Sequence, residues 1–199
     1  MTTLPLPALL AALTPIVLWS SALLASIGSL CCIVATLRSP RRVLVYIATG
    51  LLAAAIVLLA LPAVHAPMIF RVLIGIVALA LSVLGGGPAS QLVLALATRS
   101  TTVAGPHGGI VVHDRVQGVE GTREVLRGGM TIGFLERFAT TGSIIAGFPE
   151  AIAVLIAIKG VGRFTELDAG EARERFIIGT LTSLIWACVC AGLFRLAAG

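Results

Sequence analysis

The sequence predicts an all-α fold, a polytopic transmembrane helical bundle of about six spans. Three observations carry the prediction. Hydrophobic residues make up 58 % of the 199 positions and charged residues 12 %, against about 45–50 % and about 25 % in ordinary soluble domains. Mean hydropathy is +1.07. The apolar residues also gather into runs of bilayer length, and six spans of about 20 residues would use about 120 positions, close to the apolar share. A soluble domain this poor in charge could not cover its own surface. The balance excludes a cytosolic enzyme, a disordered chain and a conventional nucleic-acid binder.

The first span runs from about Leu10 to Leu37 and stops at Arg38, Pro40, Arg41 and Arg42. No basic n-region precedes it, so it reads as a retained span rather than a signal peptide. The second runs from about Val43 to Ala63 and ends in a loop with His65 and Pro67. The third starts near Ile69 and reaches Ala97, interrupted by Gly85, Gly86, Gly87 and Pro88. Three glycines and a proline are poor helix formers, and the expectation is a helix break or end there. Such a break would expose backbone groups to an ion or substrate, as in broken transporter helices.

A polar stretch from Thr98 to Gly129 follows, with an alternating piece at Ile110 to Val116 that suits a strand or hairpin. Span four is expected over Met130 to Phe148. Span five follows the turn at Phe148-Pro149 and reaches Phe164, and span six covers Phe176 to Ala197. Asp168 and Glu171 have capping-box spacing, which lets the last helix start earlier. The organisation is therefore a three-span half (1–97), a polar loop (98–129) and a second three-span half (130–199). Three spans per half is the layout of an inverted repeat, although the halves show no sequence match.

Charge gives orientation. With the Arg38–Arg42 loop inside, eleven Lys and Arg fall at the cytoplasmic face and only Arg71 and Arg195 at the outer face. The positive-inside rule then places both termini outside. Arg137 is the remaining cation, within a span.

Glu136 and Arg137 are the sharpest feature, about two turns into span four. A charge in the bilayer is costly unless it is paired or reaches water. Glu136 shares a face with Gly133, Thr140 and Ser143 and is expected to point into the bundle. Arg137 beside it is long enough to snorkel toward lipid phosphates. Counting back equally from the span four–five turn sets Glu136 opposite Lys159 to Arg163, with Lys159 the expected ion-pair partner. Glu136, Arg137, Lys159 and Arg163 form the candidate ion or substrate site, and a structural salt bridge explains the same pattern.

Small residues recur at helical spacing in span one (Ser21, Ala25, Gly28, Cys32) and span six (Gly179, Ser183, Ala187, Cys190). These faces suit close helix packing, within the chain or between copies. The four cysteines lie in apolar runs and read as packing residues. His107, His113 and Asp114 share the polar loop without metal-site spacing, so no metal and no cofactor is expected.

The second half resembles an uncharacterised group of bacterial integral membrane proteins. The shared blocks are LRGGMTIGFLER (Leu126 to Arg137), AIKGVGRF (Ala157 to Phe164) and IGTLTS (Ile178 to Ser183). The resemblance implies a bacterial inner-membrane protein in which the Glu136-Arg137 and Lys159–Arg163 charges recur, and it implies no reaction. The leading function is a small transporter or channel-like protein. Alternatives are a structural subunit of a membrane complex, or a homo-oligomer, and then a lipid-modifying enzyme. The lipid bilayer is the expected partner, and nucleic acid is not.

Overall fold

The computed structural model describes residues 6–61, 65–97, 110–116, 119–125, 129–163 and 170–199. Among the described residues there are six helices in chain order: α1 (Leu6–Arg38), α2 (Arg42–Ala60), α3 (Met68–Ala97), α4 (Gly129–Ile145), α5 (Ala151–Arg163) and α6 (Gly170–Ala198). Between α3 and α4, β1 (Ile110–Val116) and β2 (Val119–Val125) pair as an antiparallel hairpin with Ile110 opposite Val125. The alternating piece of the polar stretch thus supplies one strand of a two-stranded ribbon.

Four helices are long and apolar enough to cross a membrane: α1 over Leu13–Arg38, α2, α3, and α6 over Arg173–Ala198. Their outward faces are apolar, with Leu24, Val43, Val57, Ile76 and Ile185 all exposed. Such a surface is stable only in lipid, and the chain is an integral membrane protein. The other two expected spans are shorter. α4 has 17 residues and α5 has 13, about 26 and about 20 Å at the helical rise. Both fall short of the roughly 30 Å hydrocarbon core. They form a tight hairpin whose turn is built on Gly147, at φ +79. Phe148 N–H bonds Ser143 O at 2.8 Å and Gly147 N–H bonds Ile144 O at 3.2 Å. That is the Schellman pattern, which needs a left-handed residue.

α3 and α6 make the most extensive helix–helix contact and form the centre of the bundle. Helices from the two halves of the chain therefore share one core. α1 packs on α2 and α3, α4 packs against both α3 and α6, and α5 packs along α4, reaching α6 through Lys159 and Phe176. Ile33, Leu52, Ile74, Leu81 and Leu193 are the largest apolar side chains fully buried. The linker before α3 is tied to the end of α6 by Ala66 N–H to Ala197 O at 3.2 Å. α6 begins at Gly170, ahead of the expected Phe176, while Asp168 of the expected capping box lies outside the described residues.

The expected break in α3 does not occur. The helix runs without interruption through Gly85, Gly86, Gly87 and Pro88. The physical reason is the solvent. A broken helix in lipid leaves backbone N–H and C=O groups with nothing to bond, a cost of several kcal/mol per group. That exceeds the helix penalty of glycine, about 1 kcal/mol each. Gly85 and Gly86 serve packing instead.

Candidate functional site

The site lies where α3, α4 and α6 meet, near the end of the bundle that carries the Arg38–Arg42 loop. Its centre is the Gly85–Gly86 notch of α3. A Cβ at Gly85 would lie 2.6 Å from the indole of Trp186 on α6. A Cβ at Gly86 would overlap Cδ of Arg137 on α4 and lie 2.8 Å from its Nε. Two bare positions in succession thus seat one large side chain from each neighbouring helix. Trp186 Nε1 donates to Leu81 O at 2.9 Å. Arg137 Nε donates to Val83 O at 2.9 Å. Carbonyls of α3 thereby accept bonds from outside their own helix.

Arg137 is 5 % exposed. Its Nη1 donates to Ser183 Oγ of α6 at 3.1 Å, and its guanidinium lies 5.3 Å from the centroid of the Phe134 ring. The expected snorkelling toward lipid phosphates is therefore not what this arginine does. The notch at Gly86 and the neutral acceptors on α3 and α6 hold it inside. Gly133, one turn back on α4, leaves room for its tip: a Cβ there would sit 3.0 Å from Nη1.

Glu136 is 8 % exposed and its Oε2 accepts from Lys159 Nζ. The α4–α5 hairpin thus closes on the pair that its register proposed. Lys159 Nζ also lies 5.6 Å from the centroid of the Phe176 ring of α6. Arg163 closes α5, and its side chain lies outside the described residues.

A layer of hydroxyls joins the helices beneath the charges. Thr141 donates to Ser82 Oγ at 2.6 Å, and on the cavity side of the charges Ser90 donates to Gly179 O at 3.1 Å. Such bonds are the usual polar glue between helices in lipid. The small face of α6 is accounted for in the same way. Ser183, Ala187 and Cys190 are buried.

Above the charges lies a cavity of about 450 Å³. Exposed Pro40, Gln91 and Met130 form its mouth, and buried Arg137 and Ser183 form its floor. Glu136, Lys159, Arg175 and Thr180 line its wall. Sequence reasoning missed Trp186 and Arg175. It placed Ser183 on a packing face without linking it to Arg137, because the link crosses between helices. His107 lies outside the described residues. For His113 and Asp114 the backbone alone is described, on β1.

Three stretches of the second half, 130–137, 157–161 and 178–183, converge here. The first supplies Gly133, Glu136 and Arg137, the second Lys159, and the third Gly179, Thr180 and Ser183. No family model, no curated protein and no solved structure matches the chain.

Proposed function

We propose that this membrane protein is a small carrier. The cavity among α3, α4 and α6 is its solute pocket, and the Glu136–Lys159 pair is the charged element that exchanges partners when solute enters. One observation carries the reading. A cavity of about 450 Å³ descends from exposed residues to two buried, oppositely charged side chains, Glu136 and Arg137. Buried ionisable groups in a bundle are costly and mark solute or ion paths. Beyond the floor, Leu81, Trp186 and Leu193 are buried in a closed core, so this conformation offers access from one end only. A carrier alternates that access. The basic excess at the Arg38–Arg42 end supports a cytoplasmic mouth with both termini outside, and a bacterial inner membrane is part of the same proposal.

A second reading is a subunit of a larger membrane assembly or a homo-oligomer. It is favoured by α5, which packs mainly along α4 and leaves Val154, Ile158 and Val161 exposed.

The test is two-sided accessibility in proteoliposomes. Thr180→Cys, in a chain whose four cysteines are replaced by alanine, is treated with a membrane-impermeant maleimide from each side in turn. A carrier gives labelling from both faces, with the ratio altered by Glu136→Gln. Labelling from the Arg38–Arg42 face alone, unchanged in Glu136→Gln, sinks the carrier reading and leaves the subunit reading.

A further inference from the structure

Among the described residues, Arg137 has no counterion of its own. Its hydrogen bonds go to the neutral acceptors Val83 O and Ser183 Oγ. Its Nη2 bonds nothing among the described residues. The adjacent carboxylate, Glu136, is engaged by Lys159. A buried guanidinium whose anionic neighbour, Glu136, is already held by a lysine is incompletely compensated, and that is costly in a protein core or a bilayer. Here it forms the floor of an open cavity, so the partner has room to arrive from outside.

We propose that the cavity binds a phosphate-bearing anion, with Arg137 at its floor and Lys159 on its wall. A guanidinium edge matches two oxygens of one oxyanion, and an ammonium supplies a second point charge. The described ionisable residues lining the cavity are Glu136, Arg137, Lys159 and Arg175, of which Arg175 is engaged in an interaction of its own. A phosphate oxyanion that draws Lys159 toward itself leaves Glu136 beside the Arg137 guanidinium, so each of the three charges keeps an opposite charge as neighbour. At about 450 Å³ the space is in the usual range for organic ligands, roughly 300–1,000 Å³, and exceeds what inorganic phosphate fills. Leu84, Leu94, Phe134 and Phe176 give it apolar walls. Leu37, Met130 and Ile132 are exposed at its edge on the apolar outer surface. The ligand is thus a phosphate ester with an apolar or organic portion, either a soluble ester or the headgroup of an anionic lipid.

This inference rests on the cavity being a solute pocket, but its test reads binding at equilibrium. A pocket that binds phosphate without moving it, and a carrier that moves another solute, therefore give different results. The full chain carrying Trp19→Phe retains Trp186 as its single tryptophan, seated beside the Arg137 notch. Inorganic phosphate, acetate and chloride are titrated at constant ionic strength while Trp186 emission is followed. In parallel, the protein is taken from nanodiscs of phosphatidylcholine with or without phosphatidylglycerol and its retained lipid is identified by native mass spectrometry. The expected result is a saturable response to phosphate, absent with acetate and chloride, or retention of phosphatidylglycerol that phosphate displaces. The first outcome alone assigns a soluble ester, and the second a lipid headgroup. Arg137→Gln weakens either by on the order of tenfold or more, the loss of a charged hydrogen bond. Thr180→Phe fills the cavity while keeping every charge and abolishes both, which decides the matter if Arg137→Gln does not fold. Equal responses to all three anions with no retained phosphatidylglycerol overturn the proposal, as does full binding in Thr180→Phe.

Discussion

Arg137 of α4 lies in the space left by the missing side chain of Gly86 on α3, so closely that a Cβ there would overlap its Cδ. The glycine and the arginine are one structural unit, split between helices 51 positions apart in the chain. Gly86→Ala should destabilise the protein by about 1–3 kcal/mol, the usual cost of overpacking a filled core. Gly87, next along, has open space where a methyl group would go, with nothing within 4 Å. Gly87→Ala should therefore be neutral or stabilising by about 0.5 kcal/mol. Thermal unfolding of both variants in one detergent checks the contrast, and equal melting temperatures would contradict the notch.

Gly85 and Trp186 should couple in the same way. Gly85→Ala pushes a methyl into the indole, and Trp186→Leu removes the ring together with its bond to Leu81 O. The double variant should be more stable than the sum of the two single losses, by about 0.5–3 kcal/mol. A double-mutant cycle on unfolding free energies measures this, and simple additivity would place the ring elsewhere.

Glu136 and Lys159 form a pair whose side chains are only 10 % and 19 % exposed. Removing one partner of a buried pair costs about 3–5 kcal/mol. The partial exposure of Lys159 moves the expectation to the lower end. Glu136→Gln and Lys159→Met should each lower the folded yield by size-exclusion chromatography, and the double variant should recover part of it. A double variant worse than either single would show that the two charges do not stabilise one another.

The Thr141–Ser82 hydroxyl bond, at 2.6 Å, joins α4 to α3 beneath the charges. Hydrogen bonds between helices in lipid are worth about 0.6 kcal/mol on average and at most about 1.7. Thr141→Val should cost an amount in that range, read from unfolding in mixed micelles. A loss far above it would mean that the threonine supports the arginine as well as its own helix.

The shortness of the α4–α5 hairpin sets the depth of its turn. With helices of about 26 and about 20 Å, the turn at Phe148–Glu150 should stop below the membrane surface opposite the Arg38–Arg42 loop. Glu150→Cys should then resist an impermeant maleimide that labels His65→Cys in the α2–α3 linker. Equal labelling rates would put both at the same surface.

The apolar spans and the Glu136–Lys159 register were legible in the chain because both are local. Hydropathy sums over about 20 neighbouring residues, and a tight hairpin fixes which residues on its two helices face each other. The fate of the Gly85–Pro88 run was not legible. Taken locally, glycine and proline weaken a helix. In lipid the unsatisfied backbone of a break costs more than the glycines do, so the helix persists. The orientation of Arg137 was lost for a related reason. A long side chain near a membrane surface can snorkel, and only the notch on α3 and the hydroxyl of Ser183 on α6 hold it inward.

Local sequence alone therefore decided that this chain lives in a membrane as a helical bundle and which two charges on adjacent helices meet. The tertiary structure decided the rest: that α3 stays whole, that its glycines hold Arg137 and Trp186, and that three helices distant in the chain enclose a cavity floored by an arginine bonded only to neutral acceptors. The division has a physical cause. Burial in lipid is a property of each segment by itself, whereas the room for a side chain and the partner for its charge are supplied by whichever helix packs against it.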